Sequence, residues 1–579
     1  MIQEEKLHPN VLGHPAGLFV LFFTEMWERF SYYGMRALLV LFLTSSLMDG
    51  GWGWPREHAL ALYGTYTAMV YLTPILGGLI ADQLIGYKKA ILIGAFLMTL
   101  GHASMAIETP LFLYLGLTLL IIGNGFFKPN MTSIISHMYK DKPEKKDGAF
   151  TIYYMGVNAG AFLGIMLCGY IGEHPDWGWN WGFGLAGIFM FFGMLQFNFI
   201  QSIFGKVGDK PVKTKNKEVK VKSEDKLNHF TLLDKILISL TTIGGLSWII
   251  NDPVSIIGGF TFFPFEVMGL SGDNFVILTS LALLLFTIIS RTIRYEQVVR
   301  NRMIAVTIFA FFTIFFWASF EQAGGSMTIF ANDYTNRLLT GNSALTFKIF
   351  NTLLTLIPLG IITRVLILLF KQTFKNYALS NLILSTSFII IWAIVIWMLV
   401  GLFNQPETEV AASWFGILNS FFIIAFAPLF SKFWESKYNP SASAKYGLGL
   451  VLLGIGFGAL AYGSASIPQG ATVAKVSMVW LILAYLFHTL GELCLSPVGL
   501  SYVSKLVPGR MIAFMFGVWY LAIAIGNKTA GKMGGMIDKI TGEYDLSTFF
   551  LIFTIVPILF GVIITLLHPM MKRLMHGVK

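Results

Sequence analysis

Charged side chains are scarce in this chain of 579 residues. Asp, Glu, Lys and Arg account for 12% of the residues, whereas about 25% is usual in soluble domains. Hydrophobic residues account for 55%, and the mean hydropathy is +0.68. Apolar runs of about 20 residues, long enough for a helix to cross a bilayer, recur along nearly the whole sequence. The composition therefore excludes a large soluble core and predicts an all-α integral membrane protein in a lipid bilayer.

Cysteine is also scarce, since only Cys168 and Cys494 occur and both fall in predicted membrane spans. A disulfide framework is therefore not expected. Residues 1–10 are polar and acidic, unlike the basic and then apolar start of a cleavable signal peptide, so we expect the first span to direct insertion. The histidines lack metal-ligand spacing and the loops carry no nucleophile–base arrangement, so we expect no metal site and no enzyme.

The apolar runs predict sixteen helices. Runs of this length are helical because a helix satisfies all of its own backbone hydrogen bonds inside lipid. The predicted spans are 16–47, 59–81, 88–107, 110–139, 147–172, 180–204, 232–251, 273–293, 303–334, 349–371, 379–404, 411–435, 446–465, 475–507, 510–531 and 547–569.

Basic residues concentrate in the loops that follow even-numbered spans, such as "KDKPEKK" at 140–146 and "SRTIRYEQVVRNR" at 290–302. The opposite loops, such as "EHPDWGWN", are nearly free of Lys and Arg. Because Lys and Arg stay on the cytoplasmic side, we expect an even helix count with both termini in the cytoplasm. The net charge of +10 therefore comes from loop residues that indicate the membrane topology. We expect no nucleic-acid partner.

A polar segment divides the chain after the sixth span. Eight lysines and four acidic residues lie between Lys206 and Lys226, which is typical of a solvated linker, although contact with lipid headgroups is an alternative. This segment therefore splits the chain into two helix bundles.

The first span contains an unusual number of charges in "TEMWERFSYYGMRALL". At about 100° per residue, six polar side chains lie on one helix face, all within about 80° of the direction of Glu25: Glu25, Glu28, Arg29, Tyr32, Tyr33 and Arg36. Such a face cannot contact lipid. It predicts either a buried salt-bridge network that orders the bundle or, with so many groups on one stripe, a functional cavity.

Three other predicted spans carry charges at mid-depth: Lys128, Glu321 and Glu492. Intramembrane charges of opposite sign indicate functional sites with mutual partners. Arginine can bind a carboxylate through two hydrogen bonds, and Glu492 offers an anion elsewhere. A cavity with such separated charges would suit a zwitterion.

These stretches resemble the proton-coupled oligopeptide transporter family of the major facilitator superfamily, in its bacterial form. The pattern E-x-x-E-R-F-x-Y-Y-G matches in full from Glu25 to Gly34. "GGLIADQLIG" and "FTIYYMGVNAGAF" resemble the family's two signatures, and "FWASFEQAGGS", "LNSFFIIAFAPLF" and "GELCLSPVGLS" resemble stretches of its second half. The resemblance implies the major facilitator fold, with an N-terminal six-helix bundle at 1–204, a cytoplasmic linker with an extra helix pair at 205–302, and a C-terminal six-helix bundle at 303–579.

The resemblance also implies a function, namely import of di- and tripeptides with protons as the coupling ion and no other cofactor. The protein would be a multi-pass, monomeric protein of the cell (inner) membrane. Two alternatives remain: a carrier of nitrate, drug-like or other organic anions with the same fold, and a peptide sensor that does not transport.

Residue roles carry over by motif. Glu25, Glu28, Arg29 and Glu321 would couple proton movement. The peptide carboxylate would bind Arg36 and Lys128, and its amino end Asn158, Asn419 and Glu492, although either asparagine could instead bridge helices. Pocket walls would come from Tyr32, Tyr33, Tyr71, Trp317, Trp519 and Ser496. Glu321 would pair with Arg36 when the outer side is shut, and Lys128 with Glu492 when the inner side is shut.

One departure from the family pattern lies after the seventh core helix. About seventy residues separate the Glu321 span from "LNSFF", with apolar runs near 349–371 and 379–404. This predicts a second extra helix pair at about 345–405. We expect it to be peripheral and without transport residues, with a lid, partner or oligomer contact as alternatives.

Overall fold

The computed structural model describes residues 9–210, 230–507 and 509–578. Most of the predicted linker between Lys206 and Lys226 lies outside these residues. The described chain is almost entirely helical. Its strands are eight two-residue pieces at the ends of helices or in loops: β1 Asn10–Val11, β2 His14–Pro15, β3 Glu266–Val267, β4 Leu270–Ser271, β5 Thr335–Asn336, β6 Leu338–Leu339, β7 Thr408–Glu409 and β8 Val476–Ser477.

The strands form four small pairs, which bridge loops and build no core. β1 pairs with β2, β3 with β4 and β6 with β7, all antiparallel, while β5 pairs with β8 in parallel.

Most helices before the second inserted pair begin and end close to the predicted bounds. The helices of this part are α1 Ala16–Thr44, α2 Arg56–Ile80, α3 Tyr87–Met105, α4 Pro110–Met138, α5 Lys146–Gly172, α6 Trp179–Ile200, α7 Leu232–Gly258, α8 Gly272–Ile293, α9 Gln297–Phe320 and the short α10 Ser326–Ile329. However, α7 ends at Gly258 instead of 251, and α9 begins at Gln297 instead of 303. The remaining helices are α11 Gly341–Thr373, α12 Ala378–Asn404, α13 Ile417–Glu435, α14 Ala442–Ser464, α15 Val479–Leu506, α16 Gly509–Gly535, α17 Ile537–Glu543, α18 Leu546–Leu566 and α19 His568–Met575.

Each of the sixteen predicted spans contains a long helix. Twelve of the helical segments in the described residues combine length with a strongly apolar composition. The prediction of a multi-helix membrane protein is therefore confirmed. Two differences matter. The predicted span 349–371 starts eight residues earlier, at Gly341. The predicted span 303–334 is interrupted after α9 by a tight turn at Glu321–Gly324 and by the non-helical backbone of Gly325.

Two bundles form the core. In the first, α1 packs against α5 and α6, and α4 against α2 and α3. In the second, α14 packs against α15 and α18, and α9 against α16. The bundles meet where α2 packs on α16 and α5 on α13. Gly64 and Gly531 face each other at the first of these contacts, where an added Cβ on either would overlap the other backbone.

The two described ends of the chain lie at one end of this assembly, called here the terminal face. His14 Nδ1 is 2.7 Å from the hydroxyl of Tyr139 at the end of α4, and His576 after α19 is 2.9 Å from the Asn301 amide at the start of α9. The opposite end is called the distal face. Both ends share a face because the chain crosses the assembly an even number of times.

The two inserted helix pairs flank the core on different sides. α7 and α8 pack on each other, and α7 also contacts α2. α11 and α12 follow α9 and α10 in the sequence, yet α12 packs mainly against α6 and also contacts α5, while α11 contacts α1. The second pair is thus connected in sequence to the C-terminal bundle but packs mainly on the N-terminal one through α12, while α11 also contacts Trp414 and Phe421 of the C-terminal bundle.

Candidate functional site

The charged stripe of α1 is buried within the N-terminal bundle. Glu28 is fully buried, and Glu25 and Arg29 are 2% and 4% exposed. The Arg29 Nε lies 2.9 Å from Glu25 Oε1 and 2.6 Å from Glu28 Oε2. Because an unpaired charge in such a position would be strongly unfavourable, these three side chains depend on one another. Glu25 lies three positions before Glu28 and four before Arg29, so it shares a helix face with both, and Arg29 also reaches the adjacent Glu28.

Arg36, two turns further along α1, forms an ion pair with the other bundle. Its Nη2 is 2.6 Å from Glu321 Oε2. The Arg36 Nε donates a 2.7 Å hydrogen bond to the Tyr63 hydroxyl, which itself donates to Glu321 Oε2 at 3.2 Å. This triad joins α1 and α2 to the end of α9.

The helix break after Glu321 makes room for this triad. A Cβ on Gly324 would overlap the Tyr63 hydroxyl and would approach the Arg36 Nε to 3.1 Å. The sequence "EQAGGS" therefore does two things. It ends α9 at the carboxylate, and it removes the side chain that would otherwise occupy the position of the phenol.

A cavity of about 210 Å³ lies between the two bundles. Its walls include eight of the residues singled out from the sequence: Tyr33, Arg36, Tyr71, Asn158, Trp317, Glu321, Asn419 and Glu492. Cationic and anionic side chains thus face one enclosed space from opposite bundles.

The C-terminal wall is built around Glu492 on α15. The Asn419 Nδ2, on α13, is 3.0 Å from Glu492 Oε2 and 3.1 Å from Thr489 Oγ1. On the opposite wall, the Asn158 Nδ2 donates to the carbonyl of Tyr154 one turn earlier on α5. Asn419 therefore orients the carboxylate, while the Asn158 amide is bonded within its own helix.

Lys128 approaches the cavity from behind an aromatic side chain. Its Nζ lies 4.6 Å from the centre of the Tyr71 ring, which is a cation–π contact, and Tyr71 packs against Trp317 across the bundle interface at 5.9 Å. Within the described residues no carboxylate is within ion-pair distance of Lys128. This structure therefore contains the Arg36–Glu321 pair and lacks a Lys128–Glu492 pair.

Two predicted pocket residues whose side chains the structure describes, Tyr32 and Trp519, do not form part of the cavity wall. Tyr32 is buried beside Tyr66, with ring centres 6.3 Å apart. The ring of Trp519 packs onto Gly499 and edge-on to Tyr446 inside the C-terminal bundle. Tyr32 is grouped with the wall by its helix-wheel position and Trp519 by its motif, and neither distinguishes a position that faces the cavity from one between neighbouring helices. The side chain of Ser496 lies outside the described part of the chain.

The structure also adds residues that the sequence did not reveal. They are Tyr63, Asn124, Tyr154, Tyr485 and Thr489, all buried or lining the cavity. Thr489 lies three residues before Glu492, so helical spacing could have indicated it. Tyr63 could not be found in this way because its partner comes from a distant part of the chain.

The polar contacts between the two core bundles lie in the distal half of the described structure. Arg56 at the start of α2 contacts Asp333 and Asp538, each at 2.6 Å. Glu173 at the end of α5 accepts hydrogen bonds from the backbone amides of Ala412 and Ser413. Together with the Arg36 triad, these contacts close the cavity towards the distal face.

Comparison with known proteins agrees with this architecture. A family model described as "PTR2: POT family" matches residues 88–407 and 385–551. The peptide transporter YePEPT of Yersinia enterocolitica subsp. palearctica is 30% identical over 98% of this chain and 96% of its own. A di-/tripeptide transporter of Lactococcus lactis subsp. cremoris is 27% identical over 99% of both chains.

Solved structures show the same fold. A crystal structure of a peptide transporter POT in complex with sulfate has a TM-score of 0.70 and 27% identity, covering 100% of this chain and 99% of that one. A POT family transporter in complex with 5-aminolevulinic acid has a TM-score of 0.70 and 25% identity, covering 98% of each chain. The architecture is thus that of the major facilitator fold, and the chain belongs to the POT family of transporters.

Proposed function

We propose that this protein is a proton-coupled symporter that imports di- and tripeptides by alternating access. The observation that carries the proposal is the cavity between the bundles, which Arg36 lines from one side and Glu492 from the other. A peptide has a carboxylate and an ammonium group at its two ends, and this arrangement offers each a partner of opposite charge. The relatives named for peptide transport support the same substrate class.

The two ends of the peptide would bind different walls. Arg36 can bind a carboxylate through two parallel hydrogen bonds, and Lys128 would add a second cation if Tyr71 moves aside. The ammonium group would bind Glu492, with Asn419 and Asn158 completing its hydrogen bonds. Tyr33, Tyr71 and Trp317 would contact the side chains of the peptide.

Protonation of Glu321 would be coupled to peptide binding through Arg36. In this structure the Arg36 guanidinium is engaged by Glu321 and Tyr63. A proton on Glu321 removes its charge and weakens this pair, which frees the guanidinium for the peptide carboxylate. Peptide and proton therefore favour the same state, and such mutual dependence is the thermodynamic basis of coupling.

The Glu25–Glu28–Arg29 cluster would be the second proton site. One arginine balances two carboxylates, so a proton can be accepted without leaving an unbalanced cation. The cluster lies on the same helix as Arg36, which connects proton binding in the N-terminal bundle to the peptide site.

The alternation would use two exclusive ion pairs. We infer that the distal face is the outer side, closed here by Arg36–Glu321, and that a Lys128–Glu492 pair forms when the inner side closes. The terminal face, with its basic loops, would then be cytoplasmic. The protein would act as a monomer in the cell (inner) membrane.

Uptake of a labelled dipeptide into proteoliposomes tests the proposal. We expect accumulation under an inward proton gradient and loss of uptake in Arg36→Ala. Equal uptake with and without the gradient would contradict proton coupling.

The same vesicles distinguish the alternatives. Competition by nitrate or simple organic acids but not by dipeptides would favour an organic-anion carrier. Dipeptide binding without any flux would favour a sensor. We expect di- and tripeptides to compete and single-charge anions to have little effect, because Glu492 disfavours an anion without an ammonium group.

A further inference from the structure

Asn124 on α4 is hydrogen-bonded to the carboxyl group of Glu28. Its Nδ2 donates to Glu28 Oε1 at 3.1 Å, and both side chains are buried, with Asn124 1% exposed. Among the described residues this is the one hydrogen bond that reaches the Glu28 side chain from another helix. The other oxygen of Glu28 faces Arg29. Asn124 lies in the stretch "GNG" at 123–125.

The backbone around Asn124 fixes its direction. A Cβ on Gly123 would overlap Gly94 and Met98 of α3, and a Cβ on Gly125 would overlap the backbone of Thr73 on α2. The two glycines therefore allow α3 and α2 to pack closely on either side of Asn124. Its amide has little freedom other than rotation about its terminal bond.

The two protonation states of a carboxyl group need different partners. An ionised carboxylate only accepts hydrogen bonds, whereas a protonated one must also donate its O–H. Asn124 carries both a donor and an acceptor, and in this structure its buried Oδ1 has no hydrogen-bond partner. A half-turn of the amide would place this oxygen where the O–H of a protonated Glu28 can reach it.

We propose that Asn124 is a positioning residue for Glu28 that pairs with its carboxyl group in both protonation states. Nδ2 holds the ionised form, and Oδ1 accepts from the protonated form. Without Asn124, the O–H of a protonated Glu28 would be buried without this acceptor, which disfavours the protonated state. The proposal rests on the proton-coupled function above and adds a residue to it.

Other ionisable groups surround Glu28 and remain in place when Asn124 is changed. Glu25 and Arg29 lie on α1 and Lys128 on α4. Tyr66 on α2 and Tyr153 on α5 are the neighbouring phenols. An effect of Asn124 on proton coupling would therefore arise against an unchanged charge environment.

Replacing the amide while keeping its bulk tests the proposal. Asn124→Leu removes both hydrogen-bonding groups, and Asn124→Gln retains them on a side chain of comparable size. Asn130→Leu is the matched control. Asn130 is equally buried on the same helix, but it donates to the carbonyl of Phe126 in the preceding turn of α4. Asn124→Ala serves as a second variant without the amide, in case leucine is too large.

Three readouts are compared in proteoliposomes: dipeptide uptake driven by a proton gradient, dipeptide exchange without a gradient, and the pH dependence of uptake. We expect gradient-driven uptake to fall at least about tenfold in Asn124→Leu and Asn124→Ala while exchange stays within about twofold, since about 1.4 kcal/mol corresponds to a factor of ten. The pH midpoint should move in these two variants. Asn124→Gln should recover most of the driven uptake, and Asn130→Leu should keep the wild-type ratio and midpoint.

Two results would overturn the inference: equal losses of driven uptake and exchange, or an unchanged pH midpoint in both variants that lack the amide. Either would reduce Asn124 to a packing role. If wild-type uptake ignores the gradient, the proposed function itself fails. If wild-type uptake responds and Asn124→Leu responds equally, only the role of Asn124 fails.

Discussion

At the scale of single residues, the site depends on side chains that reach from one bundle to the other. Gly324 makes room for them, because the absence of a side chain there lets Tyr63 and Arg36 reach Glu321. Gly324 matters for the space that it leaves, because the Tyr63 hydroxyl and the Arg36 guanidinium occupy it in order to contact Glu321.

Gly324→Ala should therefore impair transport. The added methyl group would overlap the Tyr63 hydroxyl, and overpacking of this kind costs about 1–3 kcal/mol. We expect dipeptide uptake to fall about tenfold or more. Gly360→Ala on α11 is the matched control, because no atom lies within 4 Å of the added carbon, and its uptake should equal that of the wild type. Normal uptake in Gly324→Ala would show that the triad is not needed.

The sequence predicted the charged residues of the site but not all of their partners. Glu25, Glu28 and Arg29 could be grouped because they share one helix, where spacing fixes direction. Tyr63 and Asn124 could not be assigned to Glu321 and Glu28, because those contacts join distant parts of the chain. Trp519, which the motif predicted as a pocket wall, packs within its own bundle in this structure, because a motif does not specify which neighbours a side chain contacts.

At the scale of helices, the inserted pair α11–α12 is the least expected feature. Phe388 of α12 is 2% exposed and contacts Trp27 and Phe23 of α1, with ring centres 5.5 and 5.7 Å apart. Ser380 donates to the carbonyl of Gln196 on α6. Hydropathy predicted the existence of this pair, but its packing partner depends on matching surfaces that composition does not encode.

Phe388→Ala should destabilise the protein. Removing a buried phenylalanine costs about 3–5 kcal/mol, so we expect a clearly lower melting temperature in detergent. The neighbouring Ile389 is 68% exposed and faces away from the bundle, so Ile389→Ala should change stability by about 0.5 kcal/mol or less. Equal melting temperatures would mean that α12 does not pack on α1 as described.

The first inserted pair, α7–α8, is attached to the core by charges. The fully buried Lys528 of α16 lies 2.7 Å from Asp252 of α7 and donates to Thr65 of α2 at the same distance. A second pair, Lys532–Asp273, is 3.3 Å long and more exposed. The hairpin thus lies over the contact between α2 and α16.

Asp252→Asn should be strongly destabilising, since it leaves the Lys528 ammonium buried and uncompensated, at a cost of about 3–5 kcal/mol. Asp273→Asn breaks the exposed pair and should cost about 0–1 kcal/mol. Thermal unfolding in detergent compares the two directly. Similar losses in both variants would contradict the assigned burial of Lys528.

At the scale of the whole molecule, the structure is one state of a two-bundle transporter with the distal side closed. Glu57 of α2 and Gly535 of α16 meet at this side, where a Cβ on Gly535 would lie 3.5 Å from the Glu57 Cα. The two native cysteines are buried, so they should not interfere with introduced thiols.

A disulfide between Glu57→Cys and Gly535→Cys should lock this state. We expect oxidation to abolish dipeptide uptake and reduction to restore it, because the bundles must separate here for the cavity to open outwards. Each single variant should transport normally under both conditions. Full uptake by the oxidised double variant would show that the distal side need not open.

The sequence predicted the two-bundle architecture through apolar runs, loop charges and motifs. It could not predict which side is closed, since the Arg36–Glu321 and Lys128–Glu492 pairs are both compatible with the same residues. That choice depends on the relative energies of two packings of the bundles, which neither apolar runs nor motifs reveal.

The most direct test of the account is proton movement caused by peptide. Dipeptide is added outside proteoliposomes that contain a pH-sensitive dye, with no gradient imposed. If peptide and proton move together, the lumen acidifies when the peptide enters. Glu28→Gln then loses this acidification while peptide exchange continues. Entry of labelled peptide into wild-type vesicles with no change in lumenal pH would contradict it.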